Sequence, residues 1–198
     1  MLTKIYEENP SEKELRRVVE ALERDEIIIY PTDSVYAFGC SMRSPKALER
    51  LRRIKGKGDF SVVFENIAQV AEYCRVDNVV FRILKRNLPG PFTFILNASS
   101  CVPAKALERR RTIGVRIPNN TIPRAIVATL GCPLITSSVK DIAEDVEYTT
   151  DPELIHERYG SEVSLVVDGG IGDNVPTTVV DLTGDEPQMV REGKGDLQ

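Results

Sequence analysis

Ile27-Ile28-Ile29-Tyr30-Pro31-Thr32-Asp33-Ser34-Val35-Tyr36-Ala37-Phe38-Gly39 is the stretch whose reading decides the fold. Its β-branched start reads as a buried strand. Pro31 ends that strand, because proline cannot donate to a sheet ladder. Three small hydrogen-bonding side chains follow at once, Thr32, Asp33 and Ser34, and then the aromatic Tyr36. Loops that leave buried strands are where α/β proteins usually bind ligands. The same letters also spell an ordinary strand-to-turn exit, so this stretch alone leaves both readings open.

Working outward, Ser11 and Glu14 make a capping box, and Leu15, Val18, Val19 and Leu22 share one helical face. This helix delivers the chain to Ile27. Beyond Gly39, Ser44-Pro45 opens a second helix with the stripe Ala47, Leu48, Leu51, Ile54, which runs into Lys55-Gly56-Lys57-Gly58. Ser61–Phe64 reads as a strand. Helices capped at Asn66 and Asp77 follow, the latter with Val80, Phe81 and Leu84 expected to face inward. Strands are expected at Phe92–Leu96, Thr112–Ile117, Leu134–Thr136, Ser164–Asp168, Thr177–Leu182 and Gln188–Arg191. A helix should run from Ile122 to a C-cap at Gly131. Residues 141–150 read as an exposed acidic loop, before a helix capped by Asp151-Pro152 and ended at Gly160. Together these indicate one α/β domain, residues 1–198, with a twisted, open mixed sheet and flanking helices.

Composition narrows the function. At 198 residues, 41% hydrophobic and 28% charged, the chain has ordinary globular proportions. No apolar run approaches the roughly 20 residues of a membrane span. The first residues lack a signal-peptide pattern, which leads to a cytoplasmic expectation. Four scattered cysteines without C-x-x-C spacing argue against a zinc site and read as small buried hydrophobes. A single histidine, His156, gives Ser-His-Asp chemistry little to work with and is expected at the surface. The net charge of −4 hides an asymmetry: residues 40–125 hold 17 Lys/Arg against 6 Asp/Glu. A basic middle suits phosphate or nucleic acid, while solvated helix faces explain Arg50, Arg52 and Arg53 equally well.

Neither a G-x-x-x-x-G-K-[ST] loop nor a G-x-G-x-x-G turn is present. What remains is a set of strand exits with polar groups: Thr32 to Ser34, Lys55 and Lys57, Arg116, Ser137 and Ser138, and Arg191. Meeting at one rim, they would form a cationic, hydroxyl-lined cleft for a carboxylate beside a polyphosphate. Arg116 offers the planar fork that matches a carboxylate, and the lysines offer point charges for phosphate oxygens.

Six segments in order resemble the YrdC/YciO family, whose central members are threonylcarbamoyl-AMP synthases. They are Tyr30–Tyr36, Pro89-Gly90-Pro91-Phe92-Thr93, Ile113–Pro118, Pro133–Ser138, Pro176–Leu182 and Arg191-Glu192-Gly193. Val76–Arg82 and Arg191–Asp196 look most like the YciO branch. The resemblance implies a YrdC-like sheet around a large basic cavity. It also implies condensation of L-threonine, bicarbonate and ATP to threonylcarbamoyl-adenylate and pyrophosphate, for threonylcarbamoyladenosine modification of tRNA. By that likeness Thr32 and Arg116 hold threonine, with Ser34, Tyr36 and Ser137 lining its pocket. Lys55, Ser138, Thr177 and Arg191 meet the nucleotide, with Mg²⁺ bridging its phosphates, and Lys55, Lys57, Ser138 and Lys140 form the catalytic set. Two departures stand out. The family's Lys-x-Arg reads Lys55-Gly56-Lys57, without its following proline, and its Ser-x-Asn reads Ser138-Val139-Lys140. The first exchange forfeits a bidentate fork and the second removes an acceptor, so weak or redirected synthesis is expected, including adenylation of a different amino acid. The alternative is a tRNA- or double-stranded-RNA-binding protein that uses the basic cavity, with Arg109, Arg110 and Arg111, without catalysis.

Overall fold

The first helix forms because its apolar residues fall on one stripe, and that stripe is what it buries. The computed structural model describes residues 1–56, 60–107, 110–139 and 146–198. In chain order its elements are β1 (Leu2–Lys4), α1 (Glu12–Glu23), β2 (Ile28–Tyr30), β3 (Ala37–Ser41), α2 (Pro45–Lys55), β4 (Ser61–Val63), α3 (Ile67–Tyr73), α4 (Asn78–Asn87) and β5 (Phe92–Asn97). Then come α5 (Ala104–Leu107), β6 (Thr112–Arg116), α6 (Thr121–Leu130), β7 (Leu134–Ser138), α7 (Glu147–Thr150), α8 (Pro152–Tyr159), β8 (Leu165–Asp168), β9 (Thr178–Asp181) and β10 (Gln188–Arg191).

All ten of these strands join one mixed sheet in the order β1-β8-β2-β3-β7-β4-β6-β5-β9-β10. The sheet is mixed: β1 with β8, β8 with β2, β4 with β6 and β5 with β9 pair in parallel, and the other neighbours, such as β3 with β7 and β5 with β6, pair antiparallel. Helices α1 and α6 cover one face, where Leu15, Val18, Leu22, Ile122 and Ile126 pack on Ile28, Leu134 and Leu165. The opposite face packs Phe38, Val62, Phe94, Val115 and Ile135 among residues of α2, α3, α4 and α8. Farther along the α1/α6 face, over β7, β4, β6, β5 and β9, period-two positions line a hollow instead of meeting a helix.

Most expected elements are present, and the differences have local causes. Ser11 is the N-cap of α1, but its side chain makes no capping bond. Glu14, the other half of the expected box, is taken by Arg17 at 3.0 Å. Ser44, Asn66 and Asp77 do cap, accepting from Ala47 N, Gln69 N, and Val79 and Val80 N. Gly131 closes α6 at φ 68°, the left-handed region that glycine enters without a Cβ penalty. Phe81, expected inside, is 44% exposed. The stripe of α4 that reaches the core runs through Val80, Ile83 and Leu84, with Phe81 off its edge.

Residues 147–150, expected as loop, form α7, with Thr149 and Thr150 buried and their hydroxyls donating to Val146 O. His156 is half-buried rather than exposed. Cys40, Cys74 and Cys132 are buried and Cys101 is exposed. Two strands had no signal in the sequence. β1 is three residues long, and β3 is buried on both sides, so it shows no alternation. Among the described residues, no helix is long and apolar enough to cross a membrane.

Candidate active site: an arginine-floored cavity

Five adjacent strands present alternate residues to one hollow. The ladder pairs Thr136 of β7 with Ser61 of β4, Ser61 with Gly114 of β6, and Gly114 with Ile95 of β5. Because side chains alternate along a strand, Ser138, Arg116, Thr93 and Val179 join the same face. The hollow has a volume of about 530 Å³, within the range of small-molecule sites. Gly114 keeps its floor open, since a Cβ there would stand 2.8 Å from Ser61 Oγ and 2.9 Å from Thr93 Cγ2. Among the described residues, the charged ones lining it are Arg110, Arg116 and Arg191, and no acidic residue lines it. Such a cavity attracts anions.

Arg116 is the deepest of these charges, only 6% exposed at the end of β6. Its Nη2 donates to Ser34 Oγ at 3.0 Å and Asp33 Oδ1 at 3.3 Å, and reaches Thr32 Oγ1 at 3.5 Å. Three consecutive residues of the loop after β2 therefore converge on one guanidinium nitrogen. The loop is held in turn: Thr32 Oγ1 donates to Val35 O at 2.7 Å, and Asp33 Oδ2 accepts from Asn119 N at 2.7 Å. Burial pushes the Arg116 pKa down, the Asp33 carboxylate pulls it back up, and Arg191 lowers it a little further. Arg116 Nε is buried with no partner. A buried unsatisfied donor costs about 1–3 kcal/mol.

The remaining walls are hydroxyl-rich. Arg191 Nη2 donates to Thr177 O at 2.9 Å, and Thr177 Oγ1 shares a 2.8 Å hydrogen bond with Thr93 Oγ1. Tyr30 donates to Thr136 Oγ1 at 2.8 Å, and Thr136 Oγ1 donates in turn to Phe38 O at 2.9 Å. Burial pushes the Tyr30 hydroxyl up to about 12, so it stays a donor at neutral pH.

The structure thus brings Ser34, Arg116, Ser137, Ser138, Thr177 and Arg191 to one cavity. Thr32 touches Arg116 but faces a second hollow, of about 590 Å³, on the far side of the loop. Tyr36, expected in the pocket, turns its ring against Gly172, and its hydroxyl donates to Gly170 O at 2.6 Å. It is a fully buried post, set there because β3 begins at the next residue. Lys55 ends α2 with its ammonium 5.7 Å from the Phe38 ring centroid, and it is not among the residues lining the cavity. Lys57, Lys140 and Arg109 lie outside the described residues. Residues that sequence reasoning had given no role include Ser61, Thr93, Gly114 and Thr136, whereas Asp33 had been counted only as a polar strand exit, not as a partner of Arg116. The period-two pairs Thr93–Ile95 and Gly114–Arg116 were readable signals, but only the strand order shows that they share a floor.

An open mixed α/β sheet with an arginine-floored, hydroxyl-walled cavity defines an α/β protein with a cationic pocket. The model of the Sua5/YciO/YrdC family, described as telomere recombination, matches residues 20–193, and the chain belongs to that family. It is 40% identical to YciO of Escherichia coli (strain K12) over 98% of this chain and 96% of that protein. The crystal structure of E. coli YciO superposes with a TM-score of 0.91, covering 99% of this chain and 97% of that one. The threonylcarbamoyl-AMP synthase of Vibrio vulnificus (strain YJ016) is 27% identical over 90% of this chain and 98% of its own. P. abyssi Sua5, solved in complex with L-threonine, shares the fold at a TM-score of 0.87 and 22% identity, and this chain covers 57% of it.

Proposed function

We propose that the chain is a threonylcarbamoyl-AMP synthase-like nucleotidyltransferase acting on L-threonine, bicarbonate and ATP. The observation that carries this reading is the buried Arg116 on the floor of a cavity whose charged lining residues, among those described, are all arginines. In this reading Arg116 takes the threonine carboxylate, with Ser34 and Thr32 fixing the fork's orientation. Arg191, Ser138 and Thr177 take the triphosphate. By the family resemblance, Lys55, Lys57 and Lys140 are proposed to add positive charge for the reaction. Threonine and bicarbonate condense to a carbamate with loss of water. A carbamate oxygen then bonds to the α-phosphorus as the α–β bridging bond breaks, releasing pyrophosphate. Catalysis of that step is positioning plus stabilisation of developing charge. Among the described residues no group of three or more His, Cys, Asp or Glu side chains stands ready to hold a metal ion, and in our reading Mg²⁺ enters on the triphosphate oxygens as part of the substrate. Lysine in place of arginine at position 57 loses one charge-stabilising fork, about 3 to 4 kcal/mol at comparable sites, or 10²–10³-fold in rate. The product would serve adenosine modification in tRNA.

The test is mass spectrometry of the AMP adduct. Formation dependent on both threonine and bicarbonate, and lost in Arg116→Gln, supports the proposal; no adduct together with no threonine binding by calorimetry rejects it. A second reading, RNA docking without chemistry, draws on Arg110 in the cavity lining and Arg111 exposed next to it. It requires tRNA or double-stranded RNA binding that weakens steeply with salt and is blunted by changing Arg109, Arg110 and Arg111.

A further inference from the structure

The segment after β10 crosses the loop that organises Arg116, and one side chain joins the two. Lys194 Nζ donates to Asp33 O at 2.6 Å and sits 2.8 Å from Asp173 Oδ2. Asp33 is the middle of the three residues that meet Arg116 Nη2. Asp173 in turn donates its backbone N–H to Ser34 O at 3.1 Å. Asp33, Ser34, Asp173 and Lys194 therefore close a ring around the backbone of the Arg116-contacting loop.

The strap that carries Lys194 is itself fixed. Gly193 N and Gly195 N donate to Thr178 Oγ1 at 3.0 and 3.1 Å, and Lys194 N donates to Pro176 O at 2.9 Å. Thr178 is 1% exposed. A Cβ at Gly193 would collide with the Pro176 and Thr177 backbone, and one at Gly195 would fall 2.5 Å from the Phe92 ring. The Gly-Lys-Gly sequence thus lets the strap lie flush and aims only the lysine across. The geometry points to Lys194 as a positioning residue for the amino-acid end of the cavity: by clamping the Asp33 carbonyl it holds Thr32, Asp33 and Ser34 in register with Arg116. Arg191, at the start of the same strap, is anchored separately on Thr177, so the phosphate end does not depend on the clamp.

Naming threonine as the ligand rests on the proposed function, so the experiment has two independent readouts. Hydrogen exchange of residues 32–36 is compared with that of β2 in wild type, Lys194→Met, Lys194→Arg and Asp173→Asn. L-Threonine and ATP affinities are measured separately by calorimetry. Faster exchange at 32–36 but not in β2 is expected for Lys194→Met and Asp173→Asn, with partial rescue by Lys194→Arg. Loss of one charged hydrogen bond should weaken threonine binding about tenfold in Lys194→Met and leave ATP within about twofold. Unchanged exchange at 32–36 overturns the inference, whatever the ligands do. Wild type that binds no threonine rejects the proposed substrate, and exchange alone then decides the clamp. Equal loss of threonine and ATP affinity also overturns it, because that pattern marks general loosening.

Discussion

Replacing Arg116 with methionine tests the centre of the site independently of any ligand. The Arg116 and Asp33 side chains are 7% and 8% exposed, so the pair is buried from both sides. Removing one partner of a buried pair costs about 3–5 kcal/mol, because the other charge is left uncompensated. Two features reduce that figure here. Asp33 keeps the Asn119 N–H at 2.7 Å. The partnerless Arg116 Nε disappears with the side chain, returning about 1–3 kcal/mol. The net expectation is a loss of about 2 kcal/mol, or about 4–8 °C in Tm for a chain of this size. Adding Asp33→Asn removes the stranded charge, so the double variant should regain at least half of that loss. Urea unfolding followed by circular dichroism, run as a double-mutant cycle, measures both terms. Arg116→Met as stable as wild type, or a double variant less stable than Arg116→Met, would refute the account of a buried, partly unsatisfied pair.

Four other outcomes follow from the same coordinates. Gly114→Val places branched carbon between Ser61 and Thr93; it should abolish ligand binding to the cavity while costing about 1–3 kcal/mol by overpacking, read by calorimetry and melting. Burial pushes the Cys40 and Cys74 thiols up to about 12, so native protein at pH 8 should alkylate first at exposed Cys101, as peptide mass spectrometry would show. Asp173 is held below its ordinary 3.8, chiefly by the Lys194 hydrogen bond. A depressed carboxylate stabilises above its unfolded pKa and loses that contribution as pH falls through the folded value, so the stability gap between wild type and Asp173→Asn should be constant at pH 5–7 and shrink below 3.8. Ser44→Ala, which removes a real cap, should cost about 1 kcal/mol. Ser11→Ala, which removes none, should stay within about 0.5 kcal/mol in the same melts.

The caps show how far local rules carry. Ser44, Asn66, Asp77, Asn120 and Asp151 cap because their oxygens sit two or three residues from a free N–H, a distance that sequence spacing sets. Ser11 fits the same spacing but makes no capping bond, and the Glu14 carboxylate pairs with Arg17 rather than reaching back to it. Apolar stripes were legible for a similar reason, since a 3.6-residue period is written in the letters. Strands β1 and β3 were not, because one depends on pairing with β8 and the other is buried on both sides.

The site divides along the same line. The letters alone determined the types of group available: an arginine at the end of β6, small hydroxyls after β2 and at the end of β7, an arginine at the end of β10. Tertiary structure decided which of them meet. It set Ser34, Arg116, Ser138, Thr177 and Arg191 around one hollow, turned Tyr36 away, and brought Lys194 across 161 positions to the Asp33 carbonyl. Helix periodicity and capping act over a few residues and can be read in order. Strand order, register and the burial of a charge are settled only when distant segments compete for the same sheet edge and the same dry interior.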